Sequence, residues 1–221
     1  DAHHTATFSP PQLPPIVARP RLLERLGSRP APKLSLLLGQ AAQGKTTLAA
    51  AYLHSIDGPK AWVELDPSAG DAANFYYLIA RALDHTGQVS GGARFLDIPA
   101  LALGTGEDSS RWQVRLRAIL QAWQGEGLLV IDGLERLAAT SPGHDLLQTI
   151  LDHQPDGLRL LLLSRVEPQI RFRHLSIRRQ VLILTNRELA FTAEEIVAFF
   201  RQELSMQLGT AELRRVGIMT G

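Results

Sequence analysis

The sequence predicts a three-layer α/β domain built on a parallel sheet. Three observations predict it. Short apolar runs of strand length alternate with segments of helical period, the pattern that lays helices on both faces of one sheet. Several of those runs are apolar throughout, as strands covered on both faces must be. One of them, Lys33-Leu34-Ser35-Leu36-Leu37-Leu38, leads into Gly39-Gln40-Ala41-Ala42-Gln43-Gly44-Lys45-Thr46, and then into the helix-forming run 47–53.

The elements follow in order. Residues 1–20 carry prolines at 10, 11, 14, 15 and 20, and 1–15 reads as an extended, Pro-rich lead or linker. His3 and His4 read as part of a flexible end rather than as ligands. Pro20 starts a short helix through Leu26, because proline's missing N–H is harmless in a first turn. Residues 33–38 form the first strand and 61–65 the second. Asp71 can cap a helix to about Thr86, with Phe75, Leu78, Ile79 and Ala82 on one face. Residues 87–108 are Gly-rich and aperiodic, hence a long loop. Ser109 or Ser110 starts a helix through Trp123. Residues 128–131, 160–163 and 181–184 are the third, fourth and fifth strands, with a helix over 145–153 between the first two of these. Thr192-Ala193-Glu194-Glu195 is a capping box opening a helix to about Leu204, and another short helix begins after Thr210.

Bulk properties exclude several classes. At 221 residues the chain can bury a full core. Lys+Arg 23 against Asp+Glu 22 gives +1, so nothing global argues for nucleic acid or a membrane surface. With no cysteine there are no disulfides and no thiolate metal sites. No apolar run approaches the roughly 20 residues that span a bilayer. The chain starts at Asp1 without a signal peptide, which reads as an excised piece of a cytoplasmic protein.

The glycine motif fits G-x-x-x-x-G-K-[ST], a phosphate-binding loop. Gly39 and Gly44 let the backbone curl, so the N–H groups of Gln40, Ala41, Ala42 and Gln43 turn inward as an anion nest. The positive end of the next helix, at Lys45, Thr46 and Thr47, adds to that field. Lys45 brings an ammonium to the outer phosphates, and Thr46 offers a hydroxyl to Mg²⁺. The third strand ends in Asp132, which in such a domain faces the ligand crevice and can hold Mg²⁺ through water; a plain turn role stays open. Hydrolysis also needs a group to position water. Gly133 occupies the next place, so Glu135 is the nearest candidate, with a surface acid beside Arg136 as the alternative. Arg165 follows the fourth strand, where it can sense a terminal phosphate or stand as an ordinary surface arginine. Arg171, Arg173, His174, Arg178, Arg179 and Arg187 form a basic cluster that reads as a solvated face, with contact to DNA or a partner's phosphates as the alternative.

Four stretches carry a resemblance to the signal-transduction NTPases of the STAND class, nearest to the maltose-regulator (MalT-like) group that includes large LuxR-type regulators. Residues 16–26, Ile-Val-Ala-Arg-Pro-Arg-Leu-Leu-Glu-Arg-Leu, look like the family's "V-x-R-P-x-L-L-x-x-L" lead. Ala61-Trp62-Val63-Glu64-Leu65-Asp66 with Asp71 and Phe75 is similar to its second strand and helix, Leu162-Leu163-Ser164-Arg165 to its sensor strand, and Phe191-Thr192-Ala193-Glu194-Glu195 to its "F-T-x-E-E" opening. One departure is Asp132-Gly133-Leu134-Glu135, which resembles the D-G-L-D of the NACHT branch and moves the second acid two places on. Another is Met219-Thr220-Gly221, which looks like the start of a "T-G-G-W-P" motif.

The resemblance implies a P-loop NTPase domain over 16–190 with a five-stranded sheet ordered 5-1-4-3-2. Residues 191–221 then begin a helical lid and winged-helix region. It implies Val17 and Arg19 as contacts near the adenine, ATP and ADP with Mg²⁺ as ligands, and a slow ATPase used as a switch, off with ADP and on with ATP. It also implies sensor and repeat domains downstream, self-association in the ATP form, and DNA contact only through another domain. Two other readings of the loop remain, an AAA-type motor or clamp on DNA or protein, and a small-molecule kinase.

Overall fold

The computed structural model describes residues 8–12, 19–97 and 109–203. In chain order the elements are α1 (Pro20–Leu26), β1 (Leu34–Leu38), α2 (Lys45–Ser55), β2 (Lys60–Glu64), α3 (Ala72–His85), α4 (Ala93–Leu96), α5 (Ser109–Gln121), β3 (Gly127–Asp132), α6 (Gly143–Asp152), β4 (Leu158–Ser164), α7 (Arg173–Ile177), β5 (Val181–Leu184), α8 (Asn186–Leu189) and α9 (Ala193–Glu203). The strands form one parallel sheet in the order β2-β3-β4-β1-β5. Read from the other edge, this is the predicted 5-1-4-3-2.

Side-chain alternation along each strand builds a core on each face. Leu34, Leu36, Leu129, Ile131, Leu160 and Leu162 point one way and meet Phe75 and Ile79 of α3, Trp112 and Leu116 of α5, and Leu147 and Ile150 of α6. Leu37, Leu128, Val130, Leu161 and Leu163 point the other way, onto Leu22 and Leu26 of α1 and Leu48 and Leu53 of α2. Each fully buried side chain of this size contributes about 1.5–3 kcal/mol. The predicted caps form. Asp71 accepts from the amides of Ala73 and Asn74, both at 3.0 Å. The Thr192 amide donates to Glu195 Oε2 at 3.0 Å, and the Glu195 amide to Thr192 Oγ1 at 3.2 Å.

Three short helices depart from the sequence reading. The stretch read as a loop over 87–108 contains α4, whose Phe95 is buried and whose Phe95 carbonyl accepts from Tyr76 Oη at 2.9 Å. Four residues are too few to show a period, so a tertiary contact rather than a pattern sets them. The five residues of α7 are likewise too few, whereas α8 has a local signal, since the Thr185 amide and hydroxyl donate to Glu188 Oε2 at 2.9 and 2.6 Å. Helix α5 ends at Gln121 rather than Trp123, which instead bridges to Val89. Val17, residues 98–108, the helix expected after Thr210 and Met219-Thr220-Gly221 lie outside the described residues. No helix among the described residues is long and apolar enough to cross a membrane.

Candidate nucleotide-binding site

The loop between β1 and α2 is shaped for an anion. The Gly39 amide donates to Ser164 O at 3.1 Å, extending the β1–β4 ladder by one step before the chain leaves the sheet. Ala42 (φ +63°) and Gly44 (φ +74°) are both left-handed, which curls the backbone. For alanine this conformation costs about 1–2 kcal/mol, strain of the kind found at binding sites. Gly44 caps α2 with backbone alone, so no side chain satisfies the first amides of that helix.

Strand parity then decides what faces the loop. Asp132 shares the side of Leu128 and Val130, and Arg165 the side of Leu161 and Leu163, which is the face covered by α2. Thr46 Oγ1 accordingly donates to Asp132 Oδ2 at 2.8 Å. Lys45 is buried, and its Nζ donates to Gly39 O at 2.5 Å and Gln40 O at 2.8 Å. Arg165 Nε pairs with Glu135 Oε1 at 2.9 Å, and the Arg165 amide donates to Glu135 Oε2 at 3.3 Å. Glu135 lies on a 3-10 turn over Leu134–Arg136 that Gly133 starts. Both cations are thus parked on local acceptors beside the loop.

The environment shifts two of these groups. Burial lowers the Lys45 pKa, against the opposing charge of Glu135. Burial raises that of Asp132, against the Thr46 hydrogen bond. A hydroxyl and a carboxylate, both hard oxygen donors and already in contact, suit Mg²⁺.

These groups surround a cavity of about 300 Å³, lined by loop residues 41–47 together with Asp132, Gly133, Glu135 and Arg165. Pro11, Trp62, Glu64 and Arg136 complete its wall. Sequence reasoning gave no site role to Glu64, although it ends β2 as Asp132 ends β3, and the two are register partners. Its carboxylate pairs with Arg136 Nη2 at 3.1 Å. A larger groove of about 690 Å³ lies between residues 139–148 and 167–171 and holds none of the phosphate-loop residues.

Arg19, which precedes α1, reaches the same loop. Its guanidinium is buried beside the loop, donating to Gln43 O at 3.5 Å, to Leu189 O and to Ala190 O at 3.3 Å, over the Phe191 ring. The basic cluster at 171–179 is solvent-exposed around α7, as read from the sequence.

No family model matches the chain. It is 32% identical over 209 residues to the HTH-type transcriptional regulator MalT of Cronobacter sakazakii, and 31% identical over 215 residues to MalT of Yersinia pestis. Each match covers 94% of this chain and 22% of the relative, so the chain spans about a fifth of the length of these proteins. Among solved structures, the Aeropyrum pernix Orc1 protein, determined in complex with DNA, is similar with a TM-score of 0.54 at 18% identity, covering 84% of this chain and 48% of that one. The phosphate loop, the 5-1-4-3-2 sheet and homology over 94% of the chain lead to one conclusion: the chain has the P-loop NTPase fold and is homologous to a segment of the MalT transcriptional regulators.

Proposed function

We propose that the domain binds ATP and ADP at the phosphate loop and serves as a slowly hydrolysing switch in a multidomain signalling or transcriptional regulator. The observation that carries this reading is the convergence of Lys45, Thr46, Asp132, Glu135 and Arg165 on one cavity around a strained, left-handed loop. Gly39 to Thr47 would cradle the phosphates with backbone amides. Lys45 would leave the carbonyls of Gly39 and Gln40 for phosphate oxygens, because a phosphate oxygen offers a full opposite charge where a carbonyl offers only a dipole. Arg165 would turn from Glu135 to the terminal phosphate, releasing the Glu135 carboxylate to orient water. Thr46 and Asp132 would hold Mg²⁺, which when bound neutralises phosphate charge.

Glycine at 133 removes the acid next to Asp132, which favours slow turnover and a signal carried by exchange, with ADP holding the off state and ATP the on state. Val17 and Arg19 would lie toward the base. The partners of this reading are sensor and repeat domains elsewhere in the protein, a second ATP-bound copy, and DNA through another domain, in the cytoplasm. Single-turnover hydrolysis tests it. The expected result is Mg²⁺-dependent ADP formation well below the roughly 1–100 s⁻¹ of kinases. Turnover within that range would exclude a switch, and absence of both binding and hydrolysis would exclude the ATP reading.

A further inference from the structure

The phosphate loop is held from outside by a second set of residues that no motif marks. The Gln40 amide, one of the nest donors, gives its hydrogen bond to Asn186 Oδ1 on α8 at 3.0 Å. Gly39 sits so close to α8 that a Cβ there would lie 2.9 Å from Leu189 Cδ1 and 3.0 Å from Asn186 Oδ1. On the far side of the loop, Arg19 ties the Gln43 carbonyl to the carbonyls of Leu189 and Ala190. So α8 touches the loop directly at one end and through Arg19 at the other.

The same cluster grips the start of α9. Arg21 Nε and Nη2 each donate to the Glu195 carboxylate at 2.9 Å, and Arg21 also donates to Glu188 O and Ala190 O, both at 2.7 Å. Arg19 Nε lies 3.7 Å from Glu195 Oε2. Glu195 is buried and closes the capping box of α9. An arginine bonded on several edges, as the buried Arg19 and the half-buried Arg21 are, moves with its partners or loses charge-assisted bonds.

We propose that Arg19, Arg21, Asn186 and Glu195 are positioning residues that couple the shape of the phosphate loop to the seating of α9, so that nucleotide at the loop tightens the helix. This rests on the nucleotide reading above. A phosphate that draws the Gln40 amide or rotates the Gln43 carbonyl changes what Asn186 and Arg19 can hold. Those changes reach Glu195 through the carbonyls of residues 188–190, with no contact between nucleotide and α9.

Backbone hydrogen exchange on the whole chain, with and without MgADP, tests this. Glu195→Gln is the informative variant. Glutamine keeps the capping box, so α9 still starts, but it removes the charge that holds Arg19 and Arg21. In the wild type, MgADP is expected to slow exchange in both the phosphate loop and residues 193–200, the latter about fivefold or more, the low end of ordinary coupling. In Glu195→Gln, loop protection should persist while protection of 193–200 falls below about twofold. Asn186→Ala, altered at the exposed opposite end, should show the same split. Full transmission to 193–200 in both variants would overturn the coupling route. So would loop protection in the wild type with no change in α9. If MgADP protects neither segment in the wild type, the nucleotide reading fails and the coupling falls with it.

Discussion

In the proposed reading, Gly133 moves the second acid of the site on to Glu135. Gly133 sits at φ +84°, left-handed, and a Cβ there would lie 3.2 Å from Leu65 O. An aspartate in that place would carry about 1–2 kcal/mol of backbone strain. The acid falls instead on the following 3-10 turn, where Glu135 reaches Arg165. We expect Glu135→Gln to keep ATP affinity and to lower turnover by roughly 10²–10⁴-fold, the usual worth of a general base. Steady-state hydrolysis checks this, and an unchanged rate would reduce Glu135 to a partner of Arg165. Asp132→Asn should lose Mg²⁺-dependent binding. It should also stabilise the nucleotide-free chain. Burial raises the Asp132 pKa, so the fold disfavours its charged form. The folded state then holds the proton to higher pH than the unfolded state, and stability falls as pH rises through the Asp132 titration. Asparagine escapes that penalty, so its melting temperature at pH 7 should exceed that of the wild type, and the gap should close below the ordinary Asp range. At this scale the sequence was informative where one motif dictates position. Lys45, Thr46 and Asp132 were legible because loop and strand end demand those chemistries. Asn186 was not, because a lone asparagine after a strand carries no signal of the amide it will meet.

At the scale of elements, long patterns read clearly and single turns did not. The helix α3 was legible from Asp71 and the spacing of Phe75, Leu78, Ile79 and Ala82, of which Leu78 is half-buried and the other three apolar residues are buried. The turns α4 and α7 were not, because one turn spans less than a period and takes its shape from contacts with distant residues, while α8 carried a local signal, Thr185 with Glu188, that was passed over. Yet α8 is the element that touches the phosphate loop. The clasp between α8, α9 and the arginines of the 19–26 segment has a pH signature. Burial pushes the Glu195 carboxyl up, but hydrogen bonds from Arg21 and the Thr192 amide, and the charge of Arg19, outweigh it and hold the group below its usual value. A lowered folded pKa contributes stability above the unfolded glutamate value near 4.3, and that stability is lost as pH falls through the folded value. The melting temperature of the wild type should therefore exceed that of Glu195→Gln at pH 7, and the difference should shrink as pH drops below about 4. A difference that stays constant with pH would mean the clasp does not depend on the charge of Glu195.

For the whole molecule, the parallel sheet was legible because fully apolar strands admit few other arrangements, and strand order then places the ends of β1, β4 and β3 around one crevice. Where the clasp sits was not legible, since it depends on residues 19–21 meeting residues 186–195 across the folded chain. Every role proposed for these residues requires that this crevice be an adenine-nucleotide site organised by the phosphate loop. Titrating a fluorescent ATP analogue with Mg²⁺ into the wild type and Lys45→Ala tests it most directly. Loss of a charge-assisted phosphate contact is worth roughly 1.5–3 kcal/mol, so the variant should bind about 10- to 150-fold more weakly. Equal affinity in the two proteins, or no binding by the wild type, would contradict the claim.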